Sequence, residues 1–110
     1  MKVMFLPEVI DYFLELSEIL YEKGYFGFEE NAIKYSRKLF QEIETELPFK
    51  QRKKAPKRFS KYGKSVMYYA VFNRNKNTSW YAFFNMFQLD GEVVYFVRLV
   101  SNNHMIAKYL

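Results

Sequence analysis

SVMYYAVFN at residues 65–73, SWYAFFNMFQ at 79–88 and EVVYFVRLV at 92–100 decide the fold of this chain. Each run is rich in β-branched and aromatic residues, the composition of a pleated, packed surface. Each is bounded by a turn signal: the polar stretch Asn73–Asn77 after the first, and Asp90-Gly91 after the second. Asp-Gly between two apolar runs is a strong hairpin signature, because both positions tolerate positive φ. The three runs are therefore predicted to form consecutive antiparallel strands. Their apolar residues occupy both alternation sets, so one sheet face can pack on helices while the other is covered by something else or carries function.

Working back toward the N-terminus, Lys2–Leu6 suits a short additional strand that ends at Pro7. Proline fits the first turn of a helix, where its missing N–H costs nothing. A helix is predicted over about 7–23, with Glu8, Asp11, Glu15, Glu18 and Glu22 on one face and Val9, Phe13, Leu16 and Leu20 on the other. Gly24 stops it. After the tight link 24–27 a second helix is predicted over roughly 28–47. Glu29 and Glu30 stand in its first turn, its core stripe is Phe28, Ala32, Leu39, Ile43 and Leu47, widened by Phe40, and Pro48 ends it. The short link predicts an antiparallel helical hairpin. The whole reads as one α+β domain over 1–110: a small, mainly antiparallel four-stranded sheet with an N-terminal helical hairpin packed on one face.

Between the helices and the meander lies the densest charge of the chain. Lys50, Arg52, Lys53, Lys54, Lys57, Arg58, Lys61 and Lys64 place eight cations in residues 50–64, with no acid among them. The segregation extends further. Residues 1–49 hold ten acids and five bases, a net of −5, and residues 50–110 hold two acids and twelve bases, a net of +10. A run of this density repels itself and attracts polyanions, so a phosphate backbone is its natural partner; a solvated linker is the plainer reading of any charge run. Phe59 and Tyr62 lie inside the run. They suit either stacking on bases or anchoring the segment to the core, and anchoring is the expectation.

Three further residues are candidates for chemistry. His104 is the only imidazole and follows the last predicted strand, where it could act as acid or base near neutral pH. Arg98 is a lone cation in an otherwise apolar strand, placed by period two on the face of Val94, Phe96 and Val100. It must reach solvent or find an anion: a carboxylate from the acidic first half, or a phosphate clamped on the uncovered sheet face. Tyr109 stands near the C-terminal end, able to stack on a base or simply to fray. Cysteine is absent, which excludes disulfides and thiolate metal sites and fits a reducing cytoplasm. One histidine cannot build a multi-histidine zinc centre. No apolar run approaches the roughly 20 residues of a membrane span, and no glycine-rich phosphate loop or nucleophile elbow is present. Any catalysis would be metal-free and cofactor-free acid–base chemistry on a bound polyanion.

The order strand, helix, helix, three-stranded meander and short charged tail resembles the RelE/ParE toxin superfamily of bacterial type II toxin–antitoxin modules. FLPEVIDYFL at 5–14 is similar to that family's opening, in which a strand ends at a proline and a helix begins. KRFSKYG at 57–63 sits where the family has a basic segment entering the sheet, and Val93–Tyr109 resembles its last strand and tail. The resemblance implies a cytoplasmic toxin that inhibits translation as a ribosome-dependent mRNA endoribonuclease. In that role His104 and Tyr109 would serve the reaction, and Lys57, Arg58 and Arg98 would stabilise phosphate charge. It also implies a cognate antitoxin as partner. A non-catalytic, gyrase-inhibiting member or a basic nucleic-acid-binding module of the same fold is the alternative. The chain departs from the mRNA-cleaving pattern at two places: Asn103 stands at the turn where an arginine is common, and Trp80 and Tyr81 occupy the region of the middle-strand arginine.

Overall fold

The computed structural model describes residues 1–62 and 66–103. Strand β1 (Lys2–Phe5) leads through Leu6 into helix α1 (Pro7–Glu22), and α2 spans Glu29–Glu46. A 3₁₀ turn at Leu47–Phe49, strand β2 (Lys53–Lys54) and a 3₁₀ helix at Lys57–Tyr62 follow. Strands β3 (Tyr68–Asn75), β4 (Thr78–Leu89) and β5 (Glu92–Asn102) complete the described chain. The class is α+β, with two helices and a mixed sheet in the order β1-β5-β4-β3-β2. The sheet has five strands, not the four expected from sequence, because Lys53 and Lys54 of the basic run pair antiparallel with Tyr69 and Tyr68. β1 is parallel to β5, and the other pairings are antiparallel.

Local chemistry explains these elements. Pro7 occupies the first turn of α1, and the chain leaves that helix through Gly24 at φ +77°. The acids Glu8, Asp11, Glu15, Glu18 and Glu22 are all exposed, while Val9, Phe13 and Leu16 are buried against the sheet. In α2 the buried stripe is Ala32, Ser36, Leu39 and Ile43, and Leu47 continues it in the 3₁₀ turn. Phe28, expected in that stripe, is 68% exposed because it precedes the helix in extended backbone. Ser36 takes the intervening place, and its Oγ donates to the carbonyl of Phe13 at 2.8 Å, tying α2 to α1. Asp90 and Gly91 have φ values of 53° and 77°, as the β4–β5 hairpin requires.

The helices cover one face of the sheet. Phe72, Trp80, Ala82, Phe84, Tyr95, Val97 and Val100 meet Phe13, Leu16, Leu39 and Ile43 there. The opposite face carries a second, smaller cluster built from Phe59, Met67 and Phe83, with Ala55, Tyr69, Tyr81 and Leu99 packed around it. Both faces are thus apolar, as the non-alternating strands require.

Candidate nucleic-acid interface

The cover of the second face comes from the basic run itself. The ring of Phe59 stacks on Phe83, centroids 4.5 Å apart and planes 18° apart. Phe59 is 3% exposed, so it anchors the segment and is not a free platform for a base. Around it Lys57 and Arg58 are exposed. The run is therefore not a solvated linker: it forms an edge strand, then a 3₁₀ helix clamped to the sheet.

Arg52 and Lys53 lie on opposite sides of the edge, and Lys50 borders both. Lys50 Nζ lies 4.9 Å from the centroid of Phe72, and the Arg52 guanidinium lies 5.4 Å from that of Tyr68, both aromatic residues of the helix-side core. Lys53 faces the other way. With Lys50, Gln51, Tyr69 and Val71 it lines a shallow hollow of about 250 Å³. Lys54 is exposed on β2. Two exposed lysines on a two-residue edge strand also discourage another chain from adding to the sheet.

Arg98 belongs to the second face, by a route that alternation does not reveal. Phe83 pairs with Leu99 and Phe84 with Val97, so Arg98 is the extra residue of a β-bulge. The bulge breaks period two: Val100 turns into the helix-side core, while Arg98 lies 4.8 Å over the ring of Phe96. This corrects the expectation that Arg98 and Val100 share a face. Its partner is also different from either expectation. Arg98 Nε donates to Asn85 Oδ1, and among the described residues no carboxylate pairs with it. Asn85 is 1% exposed, and its Nδ2 donates to the carbonyl of Val66 at 3.0 Å and toward Met67 Sδ at 3.0 Å. A buried amide fixed by the chain before β3 therefore orients the guanidinium without neutralising it. Asn85 escaped the sequence reading; the signal was an amide set between Phe84 and Met86 inside an apolar run.

Two positions of interest are committed to structure. Asn103 accepts from Ser79 N at 3.0 Å and donates to the Asn77 carbonyl at 3.1 Å, locking the end of β5 to the β3–β4 turn. Trp80 is 1% exposed and donates from Nε1 to the Tyr35 hydroxyl at 2.9 Å, on the helix side. His104, Tyr109 and Lys64, and the side chains of Lys61 and Tyr62, lie outside the described residues. Among the described residues no helix is long and apolar enough to cross a membrane. The chain matches no protein-family model, and neither a curated protein nor a solved structure matches it.

Proposed function

We propose that this chain is a RelE/ParE-like toxin whose basic second face grips RNA on the ribosome, with a cognate antitoxin as its partner. The observation that carries the reading is the clamping of the basic run by Phe59 onto the sheet face that also holds Arg98. A polyanion lying along that face would meet Lys53, Lys57 and Arg58 from the segment and the forked donors of Arg98 from the sheet. The resemblance in chain order supplies the toxin class. His104 and Tyr109, which follow β5 in sequence, are the groups that would move protons at the ribose and the leaving oxygen.

The second reading, a non-catalytic inhibitor of gyrase or a binding module, is favoured by a specific observation. The two positions where mRNA-cleaving members carry arginines are here structural: Trp80 sits in the helix-side core and Asn103 braces a turn.

Pulse-labelling with methionine and thymidine just after induction in bacteria separates the readings. Early loss of methionine incorporation alone, abolished by Arg98→Gln and by His104→Ala, is the expected result. Early loss of thymidine incorporation, indifferent to His104→Ala, would transfer the weight to the gyrase reading. Unchanged incorporation of both would overturn the toxin reading.

A further inference from the structure

A hollow of about 540 Å³ opens on the opposite side of the sheet from Arg98, between the α1–α2 link and the far end of β3, β4 and β5. We propose that it is a binding site for a small, planar aromatic anion, such as an aromatic carboxylate or sulfonate. The inference is independent of the toxin reading.

Size comes first. The hollow falls within the roughly 300–1,000 Å³ range of small-molecule sites. Five of its twelve lining residues are aromatic. Tyr12 and Leu16 come from α1, Tyr25 and Phe26 from the link, Tyr35 from α2 and Trp80 from β4. The partly exposed rings of Tyr12, Tyr25, Phe26 and Tyr35 offer flat, polarisable faces that stack on a planar ligand, with Trp80 buried behind them.

Asn75, Thr78 and Asn102 at the strand end can donate or accept, whereas Tyr12, Tyr35 and Lys23 on the helical side offer donors to an acceptor-rich ligand. The Tyr35 hydroxyl already accepts from Trp80 Nε1 at 2.9 Å. Its own proton therefore remains to be donated. Tyr12 is held neutral, since burial and then the neighbouring Tyr35 push its phenol above the ordinary value. It too is a donor across the physiological range. Lys23 supplies a cation at the rim. Two phenolic donors and one ammonium around an aromatic-walled hollow match one flat ring system bearing one negative group.

Trp80, the single tryptophan, forms part of the wall and reports on occupancy directly. The probe is 1-anilinonaphthalene-8-sulfonate, with N-phenyl-1-naphthylamine as its uncharged counterpart. Titration of the full-length protein with the sulfonate is expected to give saturable, one-to-one binding with energy transfer from Trp80. Lys23→Gln, at an exposed position, is expected to weaken the sulfonate about tenfold, the size of one charge-assisted contact, and to leave the naphthylamine unchanged. Tyr12→Phe is expected to weaken the sulfonate about threefold to fivefold through its lost donor. Absence of saturable binding would overturn the proposal. So would sulfonate binding that ignores both substitutions, since that describes a probe adsorbed on an exposed apolar surface elsewhere.

Discussion

The ring of Phe59 lies flat on the ring of Phe83, and this one stack joins the basic segment to the face of the sheet. Its consequence is that stability and charge presentation are coupled through a residue that bears no charge. Phe59→Ala is expected to cost about 3 kcal/mol in denaturant unfolding, the range for truncating a buried aromatic. The same variant is expected to weaken RNA binding although every lysine and arginine is retained, because its 3₁₀ helix loses its mooring. A loss below about 1 kcal/mol with unchanged binding would mean that the segment docks without the stack.

The splaying of the run across the sheet edge predicts unequal roles for its cations. Lys57→Ala and Lys53→Ala, on the proposed binding side, should each reduce the slope of log affinity against log salt by about 1. Lys50→Ala and Arg52→Ala remove cations seated over Phe72 and Tyr68. Each should cost about 0.5–1 kcal/mol of stability, with little change in the salt slope for Arg52→Ala and an intermediate one for Lys50→Ala, since Lys50 also borders the hollow lined by Lys53. Filter-binding with single-stranded RNA over a salt series, beside thermal unfolding of each variant, decides it. Four equal slope changes would mean that the run acts as an undifferentiated cloud of charge.

How far the sequence reached follows from what each feature depends on. The two helices, the three long strands and the Asp90-Gly91 hairpin rest on local periodicity and turn chemistry, which a single chain displays in its own order of residues. The anchoring role of Phe59 was legible as well, as one of two aromatics amid cations. Strand β2 was not. Two lysines have no strand propensity of their own, and they pair because the edge of β3 offers unused backbone groups. The side chosen by Arg98 was hidden as well, because a bulge is a property of register between two strands and leaves no mark in the period of one. Asn85 and Arg98 are 13 residues apart, and only that register makes them neighbours.

Arg74 and Glu42 give a test of what a half-buried ion pair contributes. Arg74 NH1 donates to Glu42 Oε2 at 2.6 Å, with side-chain exposures of 14% and 28%. Arg74 Nε and NH2 are buried without a hydrogen-bond partner among the described residues. Glu42→Gln would leave a cation facing low dielectric and is expected to cost about 2 kcal/mol, below the value for a fully buried pair because solvent reaches both groups. Arg74→Met keeps the stem that packs beside Tyr35 and removes the unsatisfied donors, so it is expected to lie within about 1 kcal/mol of the parent. Unfolding midpoints for the two variants give the order directly. Arg74→Met proving the more damaging would show that the unpaired donors are satisfied by ordered water.

Tyr12 predicts the alkaline limb of the stability curve. Burial first, and Tyr35 beside it second, raise its phenol above the ordinary value of 10.0. In the unfolded chain the same phenol loses its proton at the ordinary value. The folded state therefore binds more protons once the pH passes about 10, and stability must fall as pH rises there. The contribution is fully present below the unfolded pKa and disappears as pH climbs toward the raised folded one. Tyr12→Phe removes this proton without removing the ring. Guanidinium unfolding between about pH 8 and pH 11 should accordingly show a shallower decline for Tyr12→Phe than for the parent. Parallel declines would mean that the Tyr12 hydroxyl ionises in the folded protein as easily as in the unfolded one, through solvent entering the hollow it lines.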